Sequence, residues 1–270
     1  MKNLLPPLLA IFLFAACKKE INNTNAKEEI VLAAKQPSKF TVCHYDPVTH
    51  SSKTIQVTQN ALAGHLAHGD LQGDCSAVLT TICDQDWMVK NLDVTTYRNG
   101  DIIPQVTDPT EFFFINSGAW CYYNNDPLNG ATYGKLYNWY AVNDPRGLAP
   151  AGWHIPTDDE WTNLITCLGG FEVAGGKMKS VGTNESATGL WYAPNTGATN
   201  SSGFTGLPGG IVAGTSDVFI NKGYNGYWWS STEYGIGVAW TRIAFYDNSF
   251  VYKFPFDKKV AISVRCLRNN

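Results

Sequence analysis

The sequence predicts an α+β protein with few helices, short antiparallel strands and long loops, plus a small disulfide-stapled N-terminal module. Three observations carry this. From about residue 77 onward Gly, Asn, Ser and Pro recur every few residues, the punctuation of short elements joined by turns. Between them lie runs rich in β-branched and aromatic residues, AVLTTIC, YWWSS, GVAWTRIAFY, SFVYKFPF and AISVRCL, which read as strands. One stretch, PTDDEWTNLITCLGG, carries the start, face and stop signals of a helix.

The chain begins MKNLLPPLLAIFLFAAC. Lys2 gives a positive start, Leu4 to Phe14 an apolar run, and Ala15 and Ala16 lead into Cys17. The run is too short to cross a hydrocarbon core of about 30 Å as a helix. Residues 1–16 are therefore expected to be a signal peptide, and the cysteine after Phe-Ala-Ala looks like a bacterial lipobox with Cys17 as the lipidated residue. A plain secretory signal with an incidental cysteine is the alternative. Residues 17–38 are rich in Lys, Glu and Asn and read as a tether, too polar to fold alone. The expected location is the bacterial cell envelope, anchored through lipid in the outer membrane. Export also sets the redox context. Seven cysteines less Cys17 leave six, an even number where disulfides persist, with 15 pairings open.

Residues 39–76 contain CHYDPVTHSSKTIQVTQNALAGHLAHGDLQGDC, with four of the chain's five histidines, His44, His50, His65 and His68. The run resembles a short module of exported bacterial proteins that has no assigned role. It reads as strand, turn, strand and a short helix NALAGHLAH, capped by Asn60 and ended by Gly69. Gly64 weakens that helix by about 1 kcal/mol relative to alanine. His65 and His68, three apart, share a helix face. A bridge between Cys43 and Cys75 would bring His44 toward them, and Asp70 or Asp74 could add an oxygen. Three imidazoles and a carboxylate suit zinc or copper. Against this, histidines on a polar module are often plain surface residues, His50 sits in the turn DPVTHSS, and oxidised cysteines cannot ligate. A stapled structural module is the leading expectation and a metal site the alternative.

Residues 77–270 are long enough for one sizeable core. In the main helix Thr157 caps, Glu160 completes a capping box, Gly169-Gly170 closes, and Trp161, Leu164, Ile165 and Leu168 share a face. A second helix is expected at YGKLYNWYAV. A net charge of −3 gives no basic footprint, which argues against nucleic acid as a partner. Nine Trp and thirteen Tyr fit either a recognition surface or an aromatic core. The group YNGYWWSS suggests a carbohydrate platform, with Tyr227, Trp228, Trp229 and nearby Glu233 as candidate contacts. Because neighbours on a strand face opposite ways, one of the two tryptophans is expected in the core. His154, the single histidine of this segment, is expected to hydrogen-bond structurally rather than to catalyse. Asp158, Asp159 and Glu160 fit the first turn of a helix through its dipole. The glycines of GGKMKS and LPGG lack phosphate-loop spacing and read as turns.

Seven motifs in order, WMVKNLDVTTYRNGDIIPQV, YGKLYNWYAVND, GLAPAGWHIPTDDEWTNL, GGKMKS, NTGATNSSGFTGLPGG, GYWWSSTE and SVRCLR, resemble the Fibrobacter succinogenes major paralogous domain. The resemblance covers about Thr80 to Arg268. It implies an exported protein, often a lipoprotein, of largely uncharacterised function. GWHIPTDDEW is also similar to the GWRLPTEAEW segment of formylglycine-generating enzymes, which implies a C-type-lectin-like fold. In such domains a cysteine late in the first long helix pairs with one in the last strand, which implies Cys167–Cys266. Cys43 and Cys75 bracket the histidine module and are expected to pair, leaving Cys83–Cys121 by elimination. Formylglycine chemistry needs two thiolates near the C-terminus, where this chain has Cys266 alone. Calcium-lectin motifs find weak counterparts, APN at Ala193–Asn195 and YWWSSTE at Tyr227–Glu233, without clustered carboxylates. The leading expectation is a non-enzymatic envelope lipoprotein whose lectin-like domain binds a glycan or an envelope protein. The alternatives are a metal-binding protein using the histidine module and an enzyme acting on polysaccharide or protein.

Overall fold

The computed structural model describes residues 38–214 and 219–269. The expected signal segment, the lipidation at Cys17 and the tether as far as residue 37 lie outside the described residues.

Strands β1 (Lys39–Asp46) and β2 (Ser51–Thr58) form an antiparallel hairpin, and helix α1 (Gln59–Ala67) follows at once. Strand β3 (Leu71–Gln72) pairs with the other edge of β1. Asn60 does not cap α1, contrary to expectation; Thr58, the last residue of β2, is the N-cap. Its extended backbone (φ −78°, ψ 162°) already has the conformation an N-cap needs, so strand runs into helix without a linker. Alternation along the strands sets Val42 and Val57 against Leu62 of α1, with Phe40 and Ile55 packed alongside. Each such buried side chain contributes about 1.5–3 kcal/mol, too little from this small cluster to order the whole segment. The Cys43–Cys75 disulfide and docking onto the larger part supply the rest.

Next come α2 (Cys75–Val78), β4 (Leu79–Ile82) and β5 (Gln85–Met88), then α3 (Pro109–Phe114), β6 (Trp120–Cys121) and α4 (Pro127–Tyr133). Strand β7 (Leu136–Tyr137), α5 (Trp139–Val142), β8 (Trp153–His154), α6 (Asp158–Cys167) and α7 (Phe171–Met178) lead to the strand-rich end. There lie β9 (Gly209–Val212), β10 (Phe219–Lys222), β11 (Asn225–Gly235), β12 (Val238–Phe245), β13 (Val251–Asp257) and β14 (Leu267–Arg268). The fold is thus α+β, with antiparallel ladders in the orders β4-β5-β14-β8 and β11-β12-β13 and two smaller pairs. Among the described residues no helix is long and apolar enough to cross a membrane.

The capping box on α6 is present, Thr157 accepting from the Glu160 backbone N–H while Glu160 accepts from that of Thr157. YGKLYNWYAV is not one helix. Asn138 interrupts it, accepting from the Ala141 and Ala119 backbone N–H groups, so Leu136–Tyr137 stays extended and helix starts at Trp139. AISVRCL is mostly irregular, since Ala261, Ile262 and Ser263 make isolated bridges to three different segments before β14 begins.

Two of the expected disulfides are not formed. Cys83 bonds Cys167, and Cys121 and Cys266 are buried and unpaired among the described residues. Strand parity explains the change. In β14 Leu267 faces the core cluster of Trp161 and α6, so Cys266 faces the opposite cluster around Tyr137 and Trp153. In the same way Trp120 joins the Tyr137 cluster while Cys121 points to a third, around Phe112 and Leu136. Cys167, two residues past Ile165, lies on the outer side of α6 beside the exposed β4–β5 turn that carries Cys83. Burial pushes both free thiols up to about 12, so neither is a ready nucleophile.

The two large clusters lie on either side of β11. Trp228 belongs to the α6 side and Trp229 to the Tyr137 side, and both are fully buried. Their indole N–H groups donate to Asn91 Oδ1 (3.0 Å) and the Tyr137 carbonyl (2.8 Å). The expectation that one of them faces a ligand is therefore corrected. The outer edge of β11 is covered by Ser263, and Tyr227 is buried as well.

Candidate metal centre

Val42 and His44 share a face of β1, and Leu62 and His65 share a face of α1, so the small apolar cluster runs directly into a pair of imidazoles. Helix α1 ends at Ala67, His68 follows as its C-cap, and Gly69 then takes φ +99°. That left-handed turn sends the chain back under the helix and buries Asp70. It also brings the backbone of Gly69 against the β8 segment. A Cβ on residue 69 would lie 2.2 Å from the Ala151 carbonyl oxygen, and the Gly69 carbonyl accepts from Trp153 Nε1 at 2.8 Å. Glycine is needed here for both conformation and space.

Asp70 is the centre of the cluster. His44 Nδ1 and His65 Nδ1 each lie 2.7 Å from its Oδ2, His68 Nδ1 lies 3.6 Å from Oδ1, and the Tyr45 backbone N–H donates to Oδ1 at 2.9 Å. The three imidazole rings are 5.3 to 5.8 Å apart, centre to centre. Burial alone would raise the Asp70 pKa. The Tyr45 N–H and the His44 and His65 hydrogen bonds outweigh it and hold the carboxyl below its ordinary value. An ionised Asp70 only accepts, so the imidazoles that bond it present Nδ1–H, and in the neutral imidazole that places the lone pair on Nε2.

One ligand atom from each of the four residues falls within 4.8 Å of the others. A tetrahedral ion with bonds of about 2.1 Å holds its ligands about 3.4 Å apart, so small side-chain rotations close the set. Asp70 fits as a ligand or as the carboxylate that orients ligating histidines from behind, and either role makes it the pivot. The imidazole-rich set, with its cysteines oxidised, suits zinc or copper rather than calcium or magnesium.

The other sequence candidates fall elsewhere. Asp74 caps α2 through Ser76 and is not part of the cluster. His50 bonds the Tyr45 hydroxyl at 3.0 Å and borders an adjoining cleft. Glu233 is exposed and paired with Lys258. His154 Nε2 meets Glu160 Oε1 at 2.9 Å; that bond raises the histidine's pKa. Glu160 is held at about 2, because its bonds to His154 and Thr157 outweigh the opposing effect of burial. Asp158 is held between Arg242 at 2.8 Å and Lys253 at 2.6 Å. In GGKMKS, Lys179 is fully buried and donates to the carbonyls of Thr196, Phe245 and Asn248 at 2.8 to 2.9 Å, tying three loops together. Burial brings its pKa down to about 8.

Arg268 and Tyr45 were not singled out by sequence reasoning. They border a cleft of about 450 Å³ together with His44, His50, His68 and Asn269. Nothing in the sequence brings residues 45 and 268 together; only the docking of the module onto β8 and β14 does.

The sequence profile of the Fibrobacter succinogenes major domain matches residues 80–268. Neither a curated protein nor a solved structure matches the chain. The matched span leaves out all four residues of the histidine cluster and takes in Arg268 as its last residue.

Proposed function

The chain belongs to the Fibrobacter succinogenes major domain family, whose description carries no activity, and from the site itself we propose that it binds a divalent transition metal, zinc or copper, at His44, His65, His68 and Asp70. The convergence of three imidazoles on one buried carboxylate carries this reading. Their exposure supports it as well. The side chains of His44, His65 and His68 are 36%, 22% and 52% exposed, open enough for an ion to reach them. The lipobox-like start supports placing the protein in the bacterial envelope, anchored by lipid at Cys17.

The test is metal content, by mass spectrometry, of the full chain purified from an oxidising compartment and exposed to equimolar zinc and copper. About one equivalent is expected, with loss on His65→Ala and on Asp70→Asn. A protein that takes up neither metal, or a His65→Ala variant that keeps its full equivalent, refutes the assignment.

A second reading, a C-type-lectin-like domain that binds a glycan or protein, draws support from a different place than the sequence suggested. Strand β13 closes one side of the β11-β12-β13 sheet and presents Tyr252 and Phe254, exposed and on one face, with Phe250 and Phe256 along the same row. Aromatic rows of this kind stack on sugar faces. Glycan-array binding lost on Phe254→Ala would favour it.

A further inference from the structure

The guanidinium of Arg268 lies between two aromatic rings, 4.1 Å from the centre of Tyr45 and 4.4 Å from that of Trp153. The residue is 6% exposed, yet Nε and Nη2 have no hydrogen-bond partner among the described residues. Nε lies 3.2 Å from Asp86 Oδ2, an ion pair without hydrogen-bond alignment, and Asp86 turns its other oxygen to Thr81 Oγ1 at 2.7 Å. A buried guanidinium normally has its N–H groups filled, because an unmet donor costs about 1–3 kcal/mol. The other buried arginine of this sheet region shows the usual state: Arg265 donates to Asn91, to the Met88 carbonyl and to the Phe204 carbonyl.

Arg268 borders the same cleft as His44 and His68, with Tyr45, His50, Gly152 and Asn269 completing its wall. Rings at 4.1 and 4.4 Å hold the guanidinium, and its unfilled N–H donors match the paired oxygens of a carboxylate or phosphate that displaces Asp86 from Nε. Burial disfavours the positive charge, and Asp86 is the nearest compensation. An incoming anion would supply the missing acceptors and take over from Asp86 as the counter-charge.

We propose that this cleft binds a small oxyanion, a carboxylate or phosphate group, which pairs with Arg268 and gives an oxygen to the metal held at the neighbouring histidines. The inference rests on the metal assignment and extends it: the histidine module and the large domain build one binding site between them, with the metal on one side and the arginine on the other.

The experiment uses the purified full chain loaded with cobalt(II), whose visible bands report its ligands, titrated separately with inorganic phosphate and with acetate. A saturable band shift is expected with at least one of them. A response to phosphate alone assigns a phosphate-bearing ligand, and a response to acetate alone a carboxylate. Arg268→Gln should weaken the response at least tenfold with cobalt stoichiometry unchanged. Asp86→Asn, which removes the competing carboxylate without changing shape, should tighten it severalfold, and it decides the matter if Arg268→Gln fails to fold. Full cobalt uptake with bands that neither anion moves, or an affinity that Asp86→Asn and Arg268→Gln both leave within twofold, overturns the cleft proposal alone. Failure to take up cobalt overturns the metal assignment and this inference with it.

Discussion

Residues 39–76 and the domain that follows use their polar side chains in opposite ways. In the domain, most hydrogen bonds of the buried charges go to the fold itself, although Arg268 and the Nε of Arg242 keep unfilled N–H groups. Lys179 gives its N–H groups to three carbonyls, Arg265 to Asn91 and two carbonyls, and Arg242 to Asp158, the Thr241 carbonyl and Thr162. Even the indoles act as pegs, Trp139 donating to the Ser230 carbonyl and Trp161 to that of Trp229. In the module, three imidazoles crowd one carboxylate and each keeps a free nitrogen at a partly exposed surface. Residue type therefore says little about chemistry. What distinguishes a site is hydrogen-bonding capacity left over after the backbone has been served.

The largest effect should come from breaking the domain. Trp229→Ala removes a fully buried indole and its bond to the Tyr137 carbonyl, and a loss of about 3–5 kcal/mol is expected from denaturant unfolding. The fraction that remains folded should still bind its metal, since Trp229 lies in the domain's own core. A loss under about 1 kcal/mol would mean that β11 is not covered on both faces, and would restore Trp229 as a ligand contact.

Breaking the module should cost somewhat less but remove the site. The Cys43–Cys75 bridge spans 32 residues, and in the chain-entropy account a loop of that size is worth about 3–4 kcal/mol. Replacing both cysteines by serine should lower stability by that order and abolish metal uptake, because the apolar cluster of Val42, Val57 and Leu62 is too small to hold His44 against α1 alone. Unchanged metal content in the double variant would show that docking through Gly69 and Trp153 suffices, and would remove the staple from the account of the site.

The comparison also separates what the sequence could reveal from what it could not. Elements with strong local signals were legible: the Thr157–Glu160 capping box, the strands around the two tryptophans and the hairpin of the module. The histidine cluster was legible too, because His44, His65, His68 and Asp70 are close in the chain and their faces follow from the periods of strand and helix. Strand parity correctly separated Trp228 from Trp229, but parity does not say whether the second face is covered. That depends on Ser263 and the Tyr137 cluster arriving from far along the chain. The disulfides failed for the same reason. Cys266 is near α6 in the sheet but one residue out of phase with it, and no local pattern records the phase of a strand against a distant helix. Arg268 was invisible because Trp153 and Asp86 reach it from β8 and β5, strands distant in sequence that flank β14, and Tyr45 reaches it only when the module docks.

The smallest effect is the sharpest test of the module by itself. Gly64 sits in the middle of α1 with ordinary helical backbone, is exposed, and has nothing within 4 Å of where a Cβ would stand. Alanine there meets no neighbour and removes the entropy that glycine loses on entering a helix, a gain of about 1 kcal/mol. The gain should appear as greater protection of α1 amides in hydrogen exchange, and as slightly tighter metal binding, because His65 and His68 would ride on a helix that frays less. The neighbouring Gly69 gives the contrast: there a Cβ would strike the Ala151 carbonyl, and the same change should loosen the module instead. If Gly64→Ala stiffens α1 without changing metal affinity, the helix is already ordered whenever the ion binds. Order in the module would then come from Asp70 and its hydrogen bonds rather than from the helix that carries the histidines.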